Sequence, residues 1–251
     1  MKHLIIGAGT VGYATGVWLE ANKENVHYFD IKEEVILKLN KEKKKVTQSL
    51  TGDYAMYWIC TAEWNAESVL KVLEPRDGMV IVRSTTPPGT VEKWGEEYRI
   101  DKLYHVPEFL KQNTALEDIF HPDRVIIGIT KVDAERLLYL FEGFLPGVPI
   151  IITKSTMSET IKLLSNAWLS TQISFWNEAK RLCDELGVNP QLVAEACTLD
   201  KRISKYGSKM LGTPFKGVCL PKDLVSLKKA FKEIGLESHL FDGVSKVNEC
   251  K

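Results

Sequence analysis

Short apolar runs alternate with helical patterns through the first half of the chain. HLIIG reads as a buried strand, followed by a helix from about Val11 to Asn22 and a second strand at NVHYFD. The alternation continues through MYWIC, a helix from about Ala66 to Leu73, MVIVRS and a short strand near 104–106. A helix near Thr114, the run RVIIGI, a helix near Ala134 and VPIIIT complete it. Strands separated by helices pair in parallel through crossover connections. Parallel strands are covered on both faces and so lose the apolar–polar alternation. The continuous Val/Ile runs therefore predict an α/β, doubly wound parallel sheet over residues 1–153.

From about Lys154 the pattern turns helical. Thr156 followed by Glu159 predicts a capping box. Ile161, Leu164, Trp168, Phe175, Leu182 and Leu186 then recur at helical spacing until Gly187 stops the run. That predicts one long central helix of about eight turns. Asn189-Pro190 opens another helix, with proline where its missing N–H is least harmful. A loop with Gly207, Gly212, Pro214 and Gly217 follows, then a last amphipathic helix from about Asp223 to Ile234. Residues 154–251 thus read as an all-helical second domain.

Composition removes several function classes. Lys+Arg and Asp+Glu are both 33, leaving no net field to attract nucleic acid or a membrane surface. The five cysteines (Cys60, Cys183, Cys197, Cys219, Cys250) are scattered with no C-x-x-C pair. This speaks against a disulfide framework and a metal site, and for a reducing, cytoplasmic setting. The uncharged stretch Leu4 to Leu19 falls short of the ~20 apolar residues of a membrane span. Four glycines interrupt it, and no small-residue cleavage site follows.

The same stretch carries the first chemical signal. Gly7-Ala8-Gly9-Thr10-Val11-Gly12 matches G-x-G-x-x-G between a strand and a helix, and Asp30 ends the next strand. That context is the Rossmann dinucleotide fingerprint. Its glycines let backbone approach a pyrophosphate at a helix N-terminus, where amides and dipole favour anions. Asp30 would accept from ribose hydroxyls and repel a 2′-phosphate, which favours NAD over NADP. Lys32 nearby works in the other direction.

Cys219 in TPFKGVCLPKD stands near a helix start and beside Lys222, both of which favour a thiolate. The bland alternative is an inert buried cysteine, the reading adopted for Cys60, Cys183 and Cys197. Lys162 and Asn166 are four apart, so they share a helix face. Such a pair is commonly just a solvated face. Glu108 in HVPEFL follows a strand end, where open α/β sheets hold their ligands.

With these residues in view, the chain resembles the UDP-glucose/GDP-mannose dehydrogenase family. The matching segments are GAGTVG, RSTTPPGT, VPEFL with PDRVIIG, ETIKLLSNAWL with FWNEAKRLC, LDKRI and GVCLPKD, in the family's order. The resemblance implies a four-electron oxidation of a sugar-nucleotide primary alcohol to a carboxylate, with two NAD reduced. It implies that Cys219 forms a thiohemiacetal and then a hydrolysable thioester. Lys162 and Asn166 would bind the sugar oxygen and stabilise oxyanions. Glu108 would serve as general base, and Asp223 and Thr85 would position water. Thr61, Thr85 and Lys222 would lie against the cofactor, and Arg202 and Gly217 against the sugar. The long helix would pack against a second copy through Trp168, Phe175 and Trp176.

Departures from the family pattern accompany the match. Family members carry about a hundred and fifty more residues, a third domain that holds the nucleotide diphosphate. A separate nucleotide-binding domain is therefore an expected partner for this chain. Gln112 stands where a second Glu is usual and Lys216 where a Gly is usual. The region from Asn40 to Asp53 is short, and TAEWN replaces the usual V-x-T-P turn. Two alternatives stay open. One is a two-electron hydroxyacid-type dehydrogenase, which also uses a Lys-x-x-x-Asn pair but needs no thioester. The other is a catalytically weak, truncated NAD-binding paralogue.

Overall fold

A computed structural model describes residues 1–73, 78–217 and 219–250. The chain divides into two compact units, Met1–Lys162 and Leu163–Lys251. In the first, strands β1 (Lys2–Ile6), β2 (Asn25–Phe29), β3 (Met56–Ile59), β4 (Met79–Val82), β5 (Leu103–His105), β6 (Val125–Ile129) and β7 (Ile150–Lys154) form one sheet. Its order is β2-β1-β3-β4-β5-β6-β7. Helices α1 (Thr10–Ala21), α2 (Glu33–Lys41), α3 (Glu63–Leu70), α4 (Thr90–Glu97), α5 (Ala115–Phe120) and α6 (Glu135–Phe144) connect the strands.

Both faces are buried at β1 and β3 to β6, which explains their unbroken apolar runs. The apolar run of β7 lies at the sheet edge, with Ile151 and Ile152 exposed. In β1, Ile5 joins the cluster containing Trp18, Trp58 and Phe141, while Leu4 and Ile6 join the opposite cluster with Tyr57 and Trp94. The strand order reverses between β1 and β3, the switch point where open α/β sheets form a crevice at their carboxyl ends. The short segment after α2 leaves only one bridge, Tyr28 to Val46, outside β2.

One pairing corrects the all-parallel expectation: β5 and β6 run antiparallel. The connection contains only the six-residue α5, about 9 Å long. Packed on α1, it does not carry the chain back across the sheet, so β6 starts from the end at which β5 finishes.

The long helix α7 (Ser155–Glu185) has 31 residues, and the unit boundary falls inside it. The expected capping box is not formed. Ser155, not Thr156, is the first helical residue, and the Glu159 carboxylate is turned toward the β4–α4 loop instead. The second unit continues with α8 (Pro190–Cys197), a 3-10 turn (Gly207–Met210), α9 (Cys219–Glu233) and α10 (His239–Glu249). Asn189 caps α8 as its sequence suggests, its side chain accepting from the amides of Gln191 and Leu192. Helix α10 went unread in the sequence. Leu163, Ala167, Ile173, Phe215, Leu224, Leu227 and Val244 make the core of this unit.

Two expectations about single side chains are corrected here. Cys197 is exposed at the last residue of α8, whereas Cys183 is buried. Trp176 is buried while Trp168 and Phe175 are exposed, so Trp176 does not belong to the outer stripe. Among the described residues no helix is long and apolar enough to cross a membrane.

Candidate active site

At the switch point the backbone forms a cradle. Gly7 follows β1 at φ +87, and a Cβ there would lie 2.7 Å from Thr61 Cγ2. A Cβ on Gly12 would lie 1.9 Å from the Gly7 carbonyl oxygen, so only glycine lets α1 start this close to the strand. Above Gly9 there is open space, and Gly9 as N-cap offers no side chain to the first amides of the helix. Those amides, from Thr10, Val11 and Gly12 onward, are left for an anion.

Asp30 is fixed beside this cradle. Its Oδ2 accepts from the Ala8 amide (2.7 Å) and its Oδ1 from the Lys32 amide (2.9 Å). Each oxygen keeps a lone pair for a ribose hydroxyl. A groove of about 540 Å³ runs past Gly7, Gly9, Asp30, Thr61 and Trp64. A dinucleotide fits these residues: glycine positions where a side chain would collide, an uncapped helix start, and a carboxylate held at the far end. Cys60 lines the same groove, but desolvation pushes its thiol up to about 12, against the pull of Arg83, so it is no nucleophile.

The first unit also brings together Glu108 and Lys162. Lys162 Nζ donates to the Glu108 backbone carbonyl (2.6 Å) and to its Oε1 (3.2 Å). Glu108 Oε2 accepts from the Leu110 amide (2.7 Å). The side chains are 4% and 11% exposed, so this is a buried ion pair whose partners depend on each other. Thr85 is half-buried in the loop after β4, and its neighbour Thr86 donates to Glu159 Oε1 (2.8 Å).

Sequence reasoning read Glu159 only as the capping-box partner of Thr156 and missed its place against the β4–α4 loop. Its carboxylate also accepts from the amides of Gly89 (2.7 Å) and Val91 (2.9 Å), holding the loop that carries Thr85 against the start of α4. Burial pushes its pKa up to about 7, opposed by these hydrogen bonds. His105, also missed, is kept neutral by burial, at about 3, with Nε2 facing the Ser84 carbonyl at 3.2 Å. The local motif at Glu159 pointed to a helix cap, and both observed roles rest on contacts more than 20 residues away in sequence.

The second unit holds a separate polar group. Asn166 Nδ2 donates to Asp223 Oδ2 (2.5 Å). Lys222 Nζ forms an ion pair with Asp223 Oδ1 at 2.6 Å. The Asp223 carboxylate is thus held from both sides and buried. Cys219 is exposed and is the first residue of α9, at the helix end that favours a thiolate. Gly217 precedes it at φ +86. Arg202 is exposed, its Nη2 2.6 Å from Asp200 Oδ2.

Two models of one family match the chain. The NAD binding domain of the UDP-glucose/GDP-mannose dehydrogenase family matches residues 59–145, and its central domain matches residues 156–250. The UDP-glucose 6-dehydrogenase of Rickettsia conorii is 27% identical over an alignment of 294 positions, covering 99% of this chain and 67% of that protein. UDP-glucose 6-dehydrogenase YwqF of Bacillus subtilis is 36% identical over 184, covering 69% and 40%. The solved structure of a UDP-glucose dehydrogenase from Pyrobaculum islandicum has a TM-score of 0.84 at 26% identity, covering 99% of this chain and 68% of that one. The chain thus spans about two thirds of the length of relatives that match it from end to end. With a dinucleotide cradle in the first unit and matches to one family in both, the chain belongs to the NAD-dependent UDP-glucose/GDP-mannose dehydrogenase family.

Proposed function

We propose that this protein oxidises the primary alcohol of a nucleotide sugar to the carboxylate, using Cys219 as a covalent nucleophile. The observation that carries this reading is chemical. The residues matching the family's machinery include two buried, mutually held polar sets, Glu108 with Lys162 and Asn166 with Asp223. The Gly7–Gly12 loop and Asp30 hold NAD, with Thr61 lining the groove. When bound, NAD supplies the hydride acceptor for each two-electron oxidation.

In the first oxidation the alcohol loses its C–H hydride, and its O–H proton leaves through water held by Thr85 and Asp223. The Cys219 thiolate adds to the aldehyde carbon, forming a C–S bond. Lys162 and Asn166 donate to the oxyanion that results. Loss of the second hydride leaves a thioester. Glu108 takes a proton from water as that water attacks, and the C–S bond breaks to return the thiolate. The balance is one alcohol, two NAD⁺ and one water giving one carboxylate, two NADH and three protons. Arg202, Gly217 and Lys222 serve the sugar and the cofactor in this scheme.

A homodimer is part of the proposal. Met157, Leu164, Trp168, Phe175, Leu182 and Leu186 are all exposed on α7, at spacings of seven and four that make a continuous seam. The five scattered cysteines support a reducing, cytoplasmic setting.

The test is product stoichiometry with a panel of UDP- and GDP-sugars. Two NADH per sugar are expected, with Cys219→Ser releasing no free carboxylate. One NADH per sugar, ending at the aldehyde with Cys219→Ser fully active, would overturn the thioester route. The cofactor preference is checked by titration, where NAD should bind at least tenfold more tightly than NADP.

A further inference from the structure

Trp18, Trp58 and Trp94 sit in the core of the first unit, but its remaining tryptophan, Trp64, is 64% exposed. Among the described residues no ring stacks on the Trp64 indole. A single exposed hydrophobic needs no explanation, yet Trp64 is not single. Ile31, 80% exposed, and Val72, 60% exposed, line the same groove of about 540 Å³. Three large apolar side chains thus leave their surface open on one concavity, and such a patch marks a place where a ligand or partner covers it.

The placement of these residues says which ligand. Ile31 directly follows Asp30 beyond the end of β2, and Trp64 is the second residue of α3, which follows β3. The sheet order β2-β1-β3 sets them on opposite sides of β1 and of the Gly7 turn that ends it. Asp30 offers its lone pairs to ribose hydroxyls, its two oxygens oriented by the Ala8 and Lys32 amides. The base is joined directly to that ribose, so it falls in the same groove. Among the described residues Asp30 and Lys32 are the only charged side chains of the lining, so the part around Trp64 takes a neutral ring. Adenine has flat apolar faces for Ile31 and Trp64, and a polar edge for Asn65 and Ser68, which line the groove as well.

We propose that Trp64, with Ile31, clamps the adenine ring of NAD and thereby sets the affinity for the adenosine half of the cofactor. The clamp rests on the NAD reading of the Gly7–Gly12 turn. It belongs to this chain's own sequence, because Trp64 stands in TAEWN, the segment that departs from the family's V-x-T-P turn. An indole has only two side-chain torsions to order and presents a face on which a base stacks.

The test is calorimetry and tryptophan fluorescence on the full chain, with NAD, ADP-ribose and nicotinamide mononucleotide. Wild type should bind NAD and ADP-ribose, and both should quench its fluorescence. Trp64→Ala should weaken both about tenfold, within the range of base–aromatic stacking, and leave nicotinamide mononucleotide unchanged. Trp64→Phe keeps a ring and should stay within about threefold of wild type while losing most of the quench. Because the Trp64 ring is exposed, Trp64→Ala should unfold at the wild-type urea midpoint, so that lost affinity is not lost folding. Wild type that binds neither NAD nor ADP-ribose would sink the cofactor reading, and the clamp with it. Wild type that binds both, with Trp64→Ala holding ADP-ribose just as tightly, would overturn the clamp alone.

Discussion

The sheet unit and the helical unit differ in degree: among the described residues the first buries Arg83, Glu159 and Lys162, the second only Asp223 among its charges. The first covers both faces of its central strands and then places these charges inside. The second has, among the described residues, a buried core cluster of seven and leaves Trp168 and Phe175, at 60% and 61% exposed, on the outside of α7. A sheet with helices on both sides completes its own core and can bear the cost of buried polar groups. A bundle of few helices has fewer facing surfaces. The lesson is that buried charge in the first unit signals ligand chemistry, and exposed apolar surface in the second signals association.

The largest expected effect tests the buried charge. Lys162→Met strips the Glu108 carboxylate of its counter-charge and should cost about 3 kcal/mol, the lower end for breaking a buried pair. Urea unfolding measures it. A loss below about 1 kcal/mol, the range of exposed pairs, would mean that the pair is solvated and that the contrast between the units is weaker than stated.

Next come the glycines of the cradle, which separate folding from binding. Gly12→Ala forces Cβ into the Gly7 carbonyl and should lower NAD affinity at least a hundredfold, about 2.7 kcal/mol, while also destabilising the protein without ligand. Gly9→Ala meets nothing within 4 Å and should leave the stability of the free protein unchanged, yet still weaken NAD. Equal NAD affinity in the Gly9 variant would remove the cradle from the cofactor site.

Glu159 gives a pH dependence. Its folded pKa of about 7 lies above the ordinary 4.5, so the folded state holds the proton more tightly than the unfolded chain. Its contribution is therefore complete below about pH 4.5 and is lost as pH rises through 7. Between pH 5 and 8 the loss should reach roughly 2–3 kcal/mol, and Glu159→Gln should flatten that slope in denaturation curves at the two pH values. An identical slope in the variant would take Glu159 out of the account.

The smallest effect on stability belongs to the outer stripe. Trp168→Asp with Phe175→Asp changes exposed residues and should alter the stability of one folded copy by no more than about 0.5 kcal/mol. It should nonetheless halve the sedimenting mass. A wild-type protein that already sediments as a monomer would refute the association and leave the stripe unexplained.

Much of the first unit was legible because its signals are local. The glycine spacing, the strand before it and Asp30 at the next strand end all follow from backbone requirements within 30 residues. Asn189-Pro190 announced α8 for the same reason. The second unit was harder to read. Trp168, Phe175 and Trp176 share one helical pattern, yet the first two face outward and the third is buried. Periodicity identifies a helix without saying which of its sides meets another element.

By itself, the sequence determined the alternation of strands and helices, the long α7 and the glycine turn between β1 and α1. These depend on neighbours along the chain, through dihedral freedom, capping and apolar period. Tertiary structure alone decided that β6 reverses direction, that Glu159 holds the β4–α4 loop instead of capping α7, and that Lys162 is paired with Glu108. It also decided that Ile31 and Trp64 line one groove. The partners in these contacts lie tens of residues apart, so burial and pairing are set by packing geometry, about which residue type and spacing carry no information.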